Sequence, residues 1–244
     1  KFPKIKFDLI IDLQKVVLRT LSLKKIPHHK FFSATANFLF SDFKNNKNLE
    51  FKNIYIEKFY FNILSIIKNE LINEIPNIIV PINNTIPEII SDKSKNIAIA
   101  PGAGNAIRQW KFDNYLQIAK KLRDQNYNIY FFLGPNEKPF LDVCLNNKFI
   151  CPEWKNGEII STDISFTMNL AKKMSCLLCN DGGTAWMFEF AGVKTLKLFG
   201  VTNEKKFSRP GFSQAIQIKD LGYKELNEFP ISKYEEILNK FLAN

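Results

Sequence analysis

Short apolar runs and amphipathic stretches alternate along the second half of the chain. IAIA (97–100), NIYFFL (128–133), the apolar segment 175–179 and KTLKLF (194–199) are strand-sized. Helical spacing follows or separates them at about 114–125, from GPNE to about 146, at 165–174, at 184–191 and at 231–242. Asp113 fits the N-cap of the first helix, and Gly192 fits the C′ position after 184–191. A further short strand is expected at 214–218. Strands alternating with helices predict an α/β fold with a parallel, doubly wound sheet.

The first half is less regular. FDLIIDL (7–13) reads as a buried strand, 14–24 as helical, and 25–48 as a basic, Asn-rich loop holding a short strand. Residues 54–74 carry apolar positions at helical spacing and read as one long amphipathic helix. Pro76, Pro81 and Pro87, followed by SDKSKN, interrupt regular structure. The domain boundary is therefore expected near residue 92, giving domains 1–92 and 93–244.

Composition narrows the class. The 244 residues are 45% hydrophobic and 24% charged, which is globular rather than disordered. No apolar run approaches the roughly 18–20 residues that span a bilayer. The net charge is +10, and only Arg19, Arg108, Arg123 and Arg209 among the basic residues are not Lys. Such a charge fits a solvated Lys-rich surface, and equally a field that attracts nucleotide phosphates, an anionic membrane surface or nucleic acid. The text opens on Lys1 without a signal-peptide pattern, and it reads as a processed or truncated piece of a longer chain.

Two chemistries lose support at once. Cys176 and Cys179 have CxxC spacing, but Cys144 and Cys151 do not supply a matching second pair for zinc. The flanks are apolar, so the pair is expected to be structural, on opposite faces of a buried strand and reduced. The only histidines, His28 and His29, fall in the Lys-rich loop and lack a neighbouring nucleophile or carboxylate pair. No metal site and no cofactor is expected.

In a doubly wound sheet, ligands bind beyond the C-terminal strand ends. Four unusual loops fall there: 101–110, 134–137, 180–184 and 199–211. In NDGGT, two glycines precede a helix whose first N–H groups and partial positive charge suit a phosphate or diphosphate. Arg108 and Arg209 lie in the first and last loops, and an Arg fork suits a diphosphate. Glu137, after Gly134-Pro135-Asn136, is placed to receive ribose hydroxyls. Asp181 would be repelled by a diphosphate, so sugar hydroxyls or the turn backbone are its expected partners.

Together the strings IAIAPGAGNAIRQWKFDNYLQIAKKL, FFLGPNE and DISFTMNLAKKMSCLLCNDGGTAWMFEFAGVKTLKLFGVT resemble the C-terminal domain of glycosyltransferase family 9, the lipopolysaccharide heptosyltransferases. FDLIIDLQKVVLRTL resembles the middle of that family's N-terminal domain. The resemblance implies a GT-B fold, with two Rossmann-like domains and the N-terminal one incomplete here. It implies inverting, metal-independent transfer of heptose from ADP-heptose to the lipopolysaccharide inner core. The implied setting is cytoplasmic, with a possible peripheral contact on an anionic membrane. The donor-binding positions it implies are Arg108 (where the family has Lys), Glu137 for ribose, Asp181, Gly182, Gly183 and Thr184 for diphosphate and sugar, Trp186, and Thr202 of the FGxT turn. Gly182 stands where the family usually has Ser or Thr, and Trp186 where it usually has His. The strand and Gly-Asp loop that would carry the general base have no counterpart in these residues, so the catalytic residue is unassigned. Asp12 and Asp8 are poor substitutes, and the chain alone is expected to lack transfer.

Other readings stay open at this stage. They are a non-catalytic nucleotide-sugar-binding relic and another GT-B sugar-nucleotide enzyme. A nucleic-acid partner is not expected, because the loops are Gly-rich, Arg is scarce and no nucleic-acid-binding motif is present.

Overall fold

A computed structural model describes residues 5–71, 87 and 93–243. The chain divides into two compact units, 1–76 and 77–244. The boundary expected near residue 92 lies outside the described residues.

In the first unit, β1 (Phe7–Asp12) and β2 (His28–Ser33) pair in parallel, with Leu9 opposite Lys30 and Asp12 opposite Ser33. The crossover between them contains α1 (Val17–Lys24). His28 and His29 thus open a strand rather than sit in a loop. β1 also departs from expectation: Phe7 and Ile11 are exposed, and only Asp12 is buried. The core of this unit lies instead around Phe32 and α2 (Ile56–Lys68), where Phe59, Ile63 and Ile66 pack together. The long helix expected over 54–74 ends at Lys68, because Asn69 turns left-handed (φ 57°) and caps it. Asp12 is committed: Thr20 and Ser33 hydroxyls donate to Oδ2 (2.5 and 2.9 Å), and the Gln14 N–H donates to Oδ1 (3.0 Å).

The second unit holds a five-stranded parallel sheet in the order β4-β3-β7-β8-β9. Its strands are β3 (Asn96–Ala100), β4 (Asn128–Phe131), β7 (Cys176–Asn180), β8 (Lys194–Phe199) and β9 (Ser213–Gln217). A separate antiparallel pair, β5 (Trp154–Lys155) and β6 (Glu158–Ile159), lies between β4 and β7 in sequence. Alternation along the strands splits the core into two faces. Ile97, Ile99, Cys176, Leu178, Leu196 and Leu198 pack with α3 (Phe112–Asp124), α4 (Leu141–Asn146) and α8 (Ile231–Leu242). Ala98, Ala100, Leu177 and Cys179 pack with α5 (Ile164–Ala171) and α6 (Gly183–Phe190).

Cys176 and Cys179 therefore do lie on opposite faces, and all four cysteines are buried thiols. Burial pushes the Cys176 thiol up to about 12, well away from a reactive thiolate. Asp113 sits in the first turn of α3, and Lys111 takes the N-cap position expected for it. Gly192 does adopt the left-handed conformation (φ 82°) just past α6. A short helix, α7 (Glu204–Phe207), interrupts the loop after β8.

Candidate functional site

From β3 the chain moves outward to β4 and then crosses back to β7 on the other side of β3. The two loops at this reversal, PGAG (101–104) and NDGG (180–183), flank the crevice where ligands of such sheets bind. Their backbones approach closely: a Cβ on Gly182 would stand 3.1 Å from the Gly102 carbonyl oxygen.

Asn180, buried at the end of β7, organises this edge. Its Nδ2 donates to the Pro101 carbonyl (2.7 Å). Its Oδ1 accepts from the Trp110 N–H (3.1 Å) and the Tyr115 hydroxyl (3.0 Å). The Trp110 indole in turn donates to the Phe229 carbonyl (2.9 Å). Trp110 is thus an anchor for the loop, and the 3₁₀ turn Ala106–Arg108 is held beside the end of β7.

There Arg108 Nη1 lies 3.8 Å from Asp181 Oδ2. The Thr202 hydroxyl donates to the same oxygen at 2.7 Å. Three residues singled out in the sequence, from three separate loops, thus meet at one carboxylate. Asp181 is buried, whereas Arg108 remains open to solvent. Beside them α6 begins at Gly183, with Gly182 at its N-cap and no side chain capping the helix. Thr184 follows in the first turn. A basic fork next to uncapped helix N–H groups can hold an anion.

Glu137 sits in the 3₁₀ turn Pro135–Phe140 and is buried. Its carboxyl lies where side chains of its neighbours would be. A Cβ on Gly102 would meet Glu137 Cδ at 2.5 Å, and one on Gly134 would meet Oε2 at 2.9 Å. Gly102 and Gly134 thus leave the Glu137 carboxyl the space it occupies. Burial raises the Glu137 pKa, opposed by backbone N–H bonds from Gly134 and from Glu137 itself.

A cavity of about 230 Å³ opens next to this turn, between Gly134 and Pro135 on one side and Thr184 and Met187 of α6 on the other. Glu153 and Thr167 line it, and the Thr167 hydroxyl donates to Glu153 Oε1. Sequence reading did not single out Glu153, since one acid in CPEW carries no motif. Only the fold places it in this cavity.

Trp186 meets a different group of residues. Its ring stacks with Phe190 (6.0 Å between centroids) and lies 5.1 Å from the Lys197 ammonium. Lys197 and Glu189 are fully buried and paired at 2.7 Å, a feature hidden in the sequence by the apolar run around Lys197. Arg209, expected beside Arg108 as an anion fork, is engaged elsewhere. It donates to the Glu189 carbonyl (2.7 Å) and lies over the rings of Phe190 and Phe212 (5.0 and 4.7 Å). Among the described residues, no group of three or more His, Cys, Asp or Glu could hold a metal ion. None of the described helices is long and apolar enough to cross a membrane.

Residues 81–238 match the family model of glycosyltransferase family 9 (heptosyltransferase). The chain belongs to this family. No curated protein sequence matches it. Solved structures resemble it at low identity. A glycosyl transferase family 9 protein from Veillonella parvula DSM 2008 is 16% identical, with a TM-score of 0.65, over 98% of this chain and 75% of that one. E. coli heptosyltransferase WaaC with ADP is 10% identical, with a TM-score of 0.62, over 97% and 73%. E. coli ADP-heptose lps heptosyltransferase II is 15% identical, with a TM-score of 0.56, over 97% and 76%. At these identities the likeness establishes the fold: α/β with parallel sheets, as in the family 9 GT-B heptosyltransferases.

Proposed function

We propose that the chain serves in transfer of a heptose, or a related sugar, from ADP-heptose to the lipopolysaccharide inner core. The observation that carries this reading is the meeting of Arg108, Asp181 and Thr202 beside the uncapped start of α6. The family match and the fold shared with a heptosyltransferase solved with ADP support it.

In an inverting transfer the acceptor hydroxyl attacks the anomeric carbon as the bond to the diphosphate oxygen breaks. The hydroxyl proton passes to a general base, and the diphosphate leaves with one more negative charge. Arg108 and the N–H groups of Gly183 and Thr184 would stabilise that charge. The positive charge needed is available from these groups, and the reading uses no metal. Glu137 would accept the ribose hydroxyls. The cavity, smaller than the roughly 300–1,000 Å³ of drug-sized pockets, suits the base rather than the whole nucleotide. Asp12, with its oxygens committed inside the first unit, is not assigned as the base. The net charge of +10 supports a peripheral contact with an anionic membrane surface on the cytoplasmic side.

A second reading, nucleotide-sugar binding without turnover, is favoured by Trp186. It occupies a position where the family resemblance implies His, and its contacts run to Phe190 and Lys197.

Titration calorimetry with ADP in excess EDTA tests the site, and retained binding is the expected result. Loss of binding on chelation would overturn the metal-free reading. Transfer from ADP-heptose to a deacylated core acceptor tests the reaction. Binding without transfer by the full-length gene product would favour the second reading.

A further inference from the structure

We propose that Glu153 reads the N7 edge of the nucleotide base, pairing through a neutral carboxyl group with the adenine amino group and N7, and so selects adenine over guanine. The inference rests on the nucleotide reading of the site and assigns its base specificity to one side chain.

Position comes first. Glu153 lines the cavity between the Gly134-Pro135 turn and the first turn of α6, next to the proposed ribose and diphosphate positions. Leu133, Ile159 and Met187 give it apolar walls for a planar ring. Thr167 donates its hydroxyl to Oε1, which makes Oε1 the carbonyl acceptor and leaves Oε2 to carry the proton.

Protonation comes second. Burial pushes the Glu153 carboxyl up to about 7; the Thr167 hydroxyl pulls it back, and the Glu137 charge adds to the rise. Among the described residues, Asp163 lines the same cavity and caps α5, and the Lys138 ammonium lies 6.0 Å from the ring centroid of the adjacent Trp154. From α5 and α6 the cavity receives Ile164, Thr167, Thr184 and Met187, all uncharged.

Complementarity follows. A neutral carboxyl offers one donor and one acceptor side by side. Adenine presents its amino donor beside a ring-nitrogen acceptor, whereas guanine presents O6 and N7, both acceptors, on the corresponding edge. The Oε2 hydroxyl can serve the ring nitrogen and Oε1 the amine, but Oε1 would face guanine O6 with no hydrogen between them. The ionised carboxylate has no donor for the ring nitrogen. ADP affinity is therefore full below the Glu153 pKa and falls as pH rises through it.

The test compares ADP and GDP by titration calorimetry one pH unit below and one above that value. The parent protein and the E153Q and E153L variants are measured under the same conditions. The parent is expected to favour ADP by about tenfold or more at the lower pH, the range of a good bidentate base contact, and to lose part of that advantage at the higher pH. E153Q, with a fixed donor and acceptor, should keep the preference and show a flatter pH profile. Phosphate ionisation is common to parent and variant and cancels in that comparison. E153L should bind the two nucleotides alike. Equal affinity of the parent for ADP and GDP, or a pH profile unchanged in E153Q, would overturn the role of Glu153 while leaving the nucleotide site standing. Failure of either nucleotide to bind would overturn both. The parent comparison needs no variant to fold.

Discussion

Thr202 donates a 2.7 Å hydrogen bond to Oδ2 of Asp181, joining the loop after β8 to the loop after β7. The same oxygen faces Arg108 Nη1 at 3.8 Å. A buried carboxylate next to a diphosphate site would repel its ligand if it stood alone. Held between a hydroxyl and a guanidinium, it has its charge offset within the protein. The contact between Arg108 and Asp181 is longer than a hydrogen bond, so a diphosphate can recruit the guanidinium without breaking a tight pair.

Replacing Thr202 with Val removes a hydrogen bond to this carboxylate. The expected loss is about 1.5–3 kcal/mol of stability, the range for a bond to a charged group. Thr202→Ser keeps the hydroxyl and should recover most of it. Chemical denaturation of the two variants checks this, and equal stability of Val and Ser would show that the bond contributes nothing.

Arg108→Ala should weaken ADP binding by about 1.5–3 kcal/mol, with little change in stability, since the side chain is partly solvated and makes a loose pair. Arg108→Lys should restore most of the affinity, because the charge is kept although the planar fork is not. Calorimetry with ADP reads both. An Ala variant that binds like the parent would remove Arg108 from the site.

A more selective probe is Gly102→Ala. Its Cβ would stand 2.5 Å from Glu137 Cδ, so the carboxyl must move. The atom displaced is the far end of a side chain, so the fold should survive with a cost below the roughly 1–3 kcal/mol of core overpacking. Ribose contacts would be lost, and ADP affinity should fall about as much as in Glu137→Gln. Near-parental melting with unchanged ADP affinity would show that Glu137 does not touch the nucleotide.

Trp186→His replaces a ring that stacks on Phe190 and sits 5.1 Å from the Lys197 ammonium. The expected result is a lower thermal midpoint, reflecting a loss of about 1–3 kcal/mol from the cation–π contact and from packing around a buried charge. An unchanged midpoint together with faster transfer would instead place position 186 at the ligand.

Much of the second unit was legible in the sequence because its signals are local. KTLKLF and the helix at 231–242 match β8 and α8 residue for residue, since apolar runs and helical spacing with a preceding Pro230 need no tertiary help. The edge loops were legible through Gly and Arg placed after strands, and three of them do converge. What could not be read depends on partners distant in sequence. FDLIIDL looks buried by composition, yet among the described residues β1 has only β2 beside it in its sheet and leaves Phe7 and Ile11 exposed. Asn69 gave no warning that it would end α2 by turning left-handed. Glu153 and Glu189 are ordinary acids in the sequence, and their meaning comes from Thr167 and Lys197 across the fold.

The buried pair of Lys197 and Glu189 yields the sharpest stability prediction. Both side chains are fully buried, 2.7 Å apart, on the face of the sheet covered by α6. Lys197 also donates to the Phe207 carbonyl (2.8 Å). Glu189 Oε1 further accepts from Thr195 (2.8 Å) and Ser213, while Oε2 has no hydrogen-bond partner. Lys197→Met would leave a carboxylate buried without its cation, and Glu189→Leu would leave an ammonium without its anion. Each should cost about 3–5 kcal/mol, the typical penalty for breaking a buried pair from one side. In the double variant no charge is left uncompensated, and the Thr195 and Ser213 hydroxyls, 3.0 Å apart, can satisfy one another. The double variant should therefore be more stable than the sum of the single losses predicts, by an interaction energy of about 1–3 kcal/mol. Urea denaturation of the parent, both single variants and the double variant closes the cycle. Strictly additive losses would show that each residue contributes through packing alone, with no energetic coupling between the two buried charges.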